Sequence, residues 1–161
     1  MENGDLATYL NDHLAGSVGA IEILDRLIAT YENEPLGDFL RAARQEIVSD
    51  QEELRAIMKA LAVSESNLRK AGAWIGEKFT RVKLGVAGAE PDEPGLALSL
   101  EALVLGIRGK ELLWRVLSAM LRSWPPLQPF DLARLERRAA EQAARLDEKR
   151  IESAVLAFRP Q

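Results

Sequence analysis

The sequence predicts an all-α protein, an antiparallel four-helix bundle with a fifth, shorter crossover helix. Three observations carry this. Apolar residues recur at spacings of three and four almost throughout, and no segment alternates with period two. Four breaks rich in turn-forming residues interrupt the pattern. Four of the intervals between them are near 27 residues, roughly 40 Å each at 1.5 Å per residue, and one is shorter. Two long hairpins joined by a crossover that spans the bundle satisfy this pattern.

The first helix is predicted over 5–31, along Leu6, Leu10, His13 or Leu14, Ser17, Ile21, Leu24 and Ile28. The turn ENEP ends it, and Pro35 suits the first turn of the next helix because its missing N–H is not needed there. The second helix, over 35–62, carries Leu36, Leu40, Ala43, Ile47, Asp50, Leu54, Ile57 and Leu61. AVSES breaks the pattern, with Ser64 or Ser66 as N-cap. The third, over 67–84, turns Leu68, Trp74, Ile75, Phe79 and Val82 inward. GVAGAEPDEPG is the clearest loop in the chain. The fourth, over 96–124, runs along Leu96, Leu100, Leu103, Ile107, Lys110, Trp114, Leu117 and Leu121. PPLQPFD stops and restarts the chain, with Asp131 placed to cap. The fifth, over 131–158, continues through Leu135, Ala139, Gln142 and Leu146. The whole of 1–161 reads as a single helical-bundle domain, without repeats or low-complexity tails.

Composition excludes several functions. A net charge of −4 and a pI of about 5.2 argue against a nucleic-acid binder, which needs basic residues gathered on one face. The absence of cysteine removes disulfides and thiolate metal sites. His13 is the only histidine, so a site needing two cannot form within one chain. The opening MENGDLATYL has neither the basic start nor the apolar run of a signal peptide, and charges break every long apolar segment. A soluble, cytoplasmic protein is expected, with no membrane and no nucleic acid among its partners.

The helix order resembles the ferritin-like superfamily over nearly the whole chain. The segments YLNDHLAGSVGAIEIL, EKFTRVK and GIRGKELLW are similar to an uncharacterised bacterial ferritin-like helical-bundle group. Ferritin-like carboxylate enzymes place a glutamate on each of two helices and Glu-x-x-His on each of the other two. Here Glu46-Ile47-Val48-Ser49 puts serine where histidine belongs, and neither Glu136-Arg137-Arg138-Ala139 nor Glu141-Gln142-Ala143-Ala144 supplies a nitrogen ligand. Glu22 and Glu101 stand as lone acids, and the full pattern is missing. An iron or manganese ion would need a noncanonical set such as His13, Glu46, Asp50 and Glu101.

Five stripe positions are polar: His13, Ser17, Asp50, Lys110 and Gln142. Folding the first two helices back around Asn33 sets Ser17 opposite Asp50. Folding the last two around Pro126 sets Lys110 opposite Gln142. The hairpin bends fall at opposite ends, so Asp50 and Lys110 share a height near the middle. A lone carboxylate or ammonium there costs several kcal/mol. The two are therefore expected to meet as a buried ion pair, with Ser17, His13 and Gln142 supplying hydrogen bonds at the level where related bundles hold metal. Gly16 and Gly19 on the first helix, and Gly106 and Gly109 on the fourth, belong to the same level. Each interior glycine costs about 1 kcal/mol relative to alanine. Close packing of these two helices is the expected reason, with room for a ligand or bulky side chain as the alternative.

Weaker signals remain. EKFTRVK reads as a solvated helix face. Arg108 and Arg115 flank Trp114, an arrangement able to bind an anion. LERRAAEQAARLDEKR reads as a solvent-facing helix or a dimer seam. The expected role is non-catalytic: an interaction or assembly module without the usual di-metal site, pairing as a homodimer. Two alternatives stand beside it. One is a metal-dependent oxidase or metal-storage protein. The other is a carrier of a small apolar ligand, held between the glycine patches and Trp74 or Trp114.

Overall fold

The structure, a computed structural model, describes residues 4–66 and 93–160. Among them stand four long helices and no strand: α1 (Gly4–Thr30), α2 (Pro35–Ala60), α3 (Glu93–Met120) and α4 (Leu132–Ala157). A single 3-10 turn, Pro125–Leu127, precedes α4. The helix predicted over 67–84, with Trp74 and the EKFTRVK face, lies outside the described residues.

Cross-helix pairs set the helix directions. Gln51 meets Ser17 and Arg44 meets Asp25, so α1 and α2 are antiparallel. Arg115 meets Glu136 and Arg150 meets Glu101, so α3 and α4 are antiparallel. Glu53 meets Arg134 and Glu46 meets Arg145, so α2 and α4 are antiparallel as well. It follows that α2 and α3 run in the same direction.

The core is leucine-rich and continuous. Leu10, Leu14 and Leu24 of α1 pack with Leu40 and Ile57 of α2, Leu100, Leu103, Trp114 and Leu117 of α3, and Leu135 and Leu146 of α4. Local chemistry explains the ends. Gly37 lets the first hairpin close, since a Cβ there would lie 2.2 Å from the Tyr31 carbonyl oxygen. At the end of α2, Val63 N–H donates to Met58 C=O and Ala62 N–H to Lys59 C=O, a Schellman closure. Ala62 takes the left-handed position with φ 54°, which glycine would occupy at lower cost.

Two boundaries differ from expectation. The helix predicted from 96 begins at Glu93, because Pro94 fits a first helical turn as readily as a loop. It ends at Met120 rather than near Trp124. Trp124 precedes Pro125 and is pushed out of helical conformation, to φ −129° and ψ 82°. Asp131 caps α4 by accepting the Arg134 backbone N–H at 3.0 Å. No described helix is long and apolar enough to cross a membrane.

Candidate functional site

The heptad-like stripe of α2 that buries Leu40, Ile47, Leu54 and Ile57 also buries Asp50, which is only 2% exposed. Three donors meet its carboxylate. Lys110 Nζ reaches Oδ2 at 2.5 Å, and Gln142 Nε2 reaches the same oxygen at 3.0 Å. The Arg138 guanidinium donates to Oδ1. Lys110 also donates to Gln142 Oε1 at 2.5 Å, so the amide closes a triangle with the acid and the base. Burial draws the Lys110 ammonium below the usual lysine range, and the Asp50 charge opposes that shift.

A buried carboxylate with one cation removed would be left poorly compensated, which is why the second cation matters. Arg138 is partly solvated, so water screens some of the surplus positive charge.

The other expected members of the layer go elsewhere. Ser17 Oγ donates to the Leu14 carbonyl at 2.6 Å and accepts from Gln51 Nε2 at 2.8 Å. Gln51 Oε1 accepts from Arg55 at 2.7 Å, and Arg55 pairs with Glu65 at 3.1 Å. This forms a second, neutral-centred layer. Gln51 is one residue past Asp50, about 100° around the helix, and so points to α1 while Asp50 points to α4. His13 is half-buried and stands edge-on to Tyr9 with ring centroids 4.7 Å apart. Burial lowers its pKa below the ordinary histidine value, partly offset by the nearby Asp12 charge.

A metal ion does not fit these donors. Three hydrogen-bond donors, two of them cationic, already occupy Asp50. Glu46 is paired with Arg145 at 2.6 Å and Glu101 with Arg150 at 3.4 Å. His13, Glu46, Asp50 and Glu101 are not gathered. Among the described residues no three acids or histidines converge as a ligand set.

The two α3 glycines also depart from expectation. Close packing is not what Gly106 and Gly109 show: a Cβ at either would meet nothing within 4 Å. Gly19 is buried, Gly16 half-buried and Gly106 exposed. Gly16, Gly106 and Gly109 border a cleft of about 240 Å³ that reaches inward to Lys110 and Trp114. Room, rather than contact, is what the α3 glycines create.

Sequence reasoning missed Arg138, Gln51 and Asn11. Arg138 precedes Gln142 by one helical turn on the same face, which was the available signal. Asn11 ties the chain after α2 to α1, donating to the Ser64 carbonyl at 3.1 Å and accepting the Ser66 N–H at 2.7 Å.

No family model matches the chain, and neither a curated protein nor a solved structure matches it significantly. Fold and site therefore rest on the residues themselves.

Proposed function

We propose that this chain is a ferritin-like interaction or assembly module that works without the usual di-metal site and pairs as a homodimer. The helix directions support the ferritin-like part: two antiparallel hairpins with one long connection between parallel helices follow that layout. The Asp50, Lys110, Arg138 and Gln142 cluster supports the non-catalytic part, since it takes up the central polar groups in holding three helices together.

The observation that carries the dimer is the outer face of α3. Leu98, Leu105 and Leu112 recur every seven residues, and Ala102, Gly109 and Val116 follow each by four. The four large ones are exposed, from 43% at Val116 to 66% at Leu105. A strict seven-residue apolar repeat is a coiled-coil seam, and it lies opposite the face that builds the core. An antiparallel second copy related by a two-fold axis at the level of Ile107 matches large to small in the two inner layers. Leu105 meets Gly109 of the second copy, Leu112 meets Ala102, and Leu98 meets Val116. Glu101 then comes near Arg115 of the second copy, opposite charges that favour the antiparallel arrangement.

Light scattering on the eluted protein tests this. The expected mass is twice that of the 17.8 kDa chain, falling to one chain in Leu105→Glu with helicity retained. A monomeric wild-type chain at about 100 µM, where even a weak dimer with a micromolar constant would form, ends the proposal. Elemental analysis of protein purified without a histidine tag tests the other half, and stoichiometric iron or manganese would overturn it.

A further inference from the structure

We propose that the cleft between α1, α2 and α3 is a binding site for a small monocarboxylic acid with an apolar body of about six carbons, its carboxylate held by Lys110 and Trp114. The cleft measures about 240 Å³. An apolar cavity near 150 Å³ holds a benzene-sized molecule, so the remainder accommodates a polar head. Ile47, Leu54, Ile107 and Leu113 supply apolar wall, and the exposed Asp12 and Gly106 mark its mouth.

Apart from the half-buried His13 and the exposed Asp12, the polar groups lining the cleft are donor-rich. The acceptors of Asp50, Ser17 and Gln51 are already engaged by donors. An ammonium has three N–H groups, and Lys110 uses two, on Asp50 and Gln142. Trp114 is fully buried and its indole N–H has no acceptor among the described residues. Buried donors left unmet cost free energy, so an incoming acceptor is favoured over a donor. Asp50 faces both Lys110 and Arg138, but Arg138 is partly solvated and lies outside the cleft's lining, so the preference for an acceptor rests on the unmet donors of Lys110 and Trp114. Asp12 at the mouth is exposed and screened by solvent, so it opposes entry weakly.

The glycines give the site its access. A Cβ at 106 or 109 meets nothing within 4 Å, so a side chain there starts in open space at the edge of the cleft. Gly106→Leu is therefore expected to narrow the opening.

The test is calorimetric titration of the purified full chain with hexanoate, hexan-1-ol and hexylamine, with thermal melts and circular dichroism on each variant. Hexanoate is expected to bind saturably at one site per chain. Hexan-1-ol and hexylamine are expected to bind at least about tenfold more weakly, the scale of one charge-assisted hydrogen bond. Gly106→Leu is expected to weaken hexanoate by at least about tenfold with an unchanged far-ultraviolet spectrum. No saturable hexanoate binding, equal binding of the alcohol or amine, or unaltered affinity in folded Gly106→Leu each overturns the proposal.

Discussion

The two seams on either side of the bundle are built on opposite principles. Between α2 and α4 the chain is zipped by charge: Arg134 on Glu53 at 3.0 Å, Arg138 on Asp50, and Arg145 on Glu46 at 2.6 Å. Between α1 and α3, among the described residues, no ion pair joins the helices, and Gly16, Gly106 and Gly109 border open space. One seam fixes register through a buried carboxylate that only the correct alignment satisfies, flanked by partly solvated ion pairs. The other leaves room at its α3 glycines. Polar contact specifies the alignment of α4 on α2, and between α1 and α3 no ion pair among the described residues does so.

The largest effect that can break this comparison comes from the charged seam. Asp50→Ala strands Lys110 and Arg138 without their acceptor, and the expected loss of unfolding free energy is about 3–5 kcal/mol by urea denaturation. A loss below 1 kcal/mol would show that solvent, not Asp50, neutralises those cations. The glycine positions of α3 should respond in the opposite sense. Gly106→Ala adds a Cβ into space on a helix interior and is expected to stabilise by about 0.5–1 kcal/mol. Destabilisation instead would mean that α1 and α3 close on each other there.

The smallest effect belongs to His13, at the cleft between the seams. Burial lowers its folded-state pKa below the unfolded value of about 6.5. As pH falls through 6.5 the unfolded chain takes up a proton first, so this contribution is full above that pH and declines below it. His13→Gln is expected to remove that part of the acid slope. Proton resonance titration of the lone histidine checks the sign directly, and a pKa at or above the unfolded value contradicts it.

Much of the site was legible because helical periodicity converts position into direction. Asp50, Lys110 and Gln142 each fall on an apolar stripe, and hairpins whose bends fall at opposite ends of the bundle set them at one height; in the structure they touch. Arg138 was not legible in the same way. It lies in a run of mixed charge that reads as a solvent face, and whether it turns to α2 depends on the rotation of α4, which its own sequence does not state. The second stripe of α3 was visible as spacing, in Leu98, Leu105 and Leu112. It was hidden by the stronger inner stripe, because a helix apolar on two faces reads as simply apolar.

By itself, the sequence determined four described helices, their hairpin turns and the need for a buried charge to find a partner. These follow from local geometry and from the cost of desolvation, both properties of neighbouring residues. Only the tertiary structure decided that Asp50 takes two cations, that Ser17 joins Gln51 instead, and that the glycines of α3 border a cleft. Those outcomes depend on how far each helix turns about its axis. That angle is set by the packing of all the helices together and is carried by no single segment.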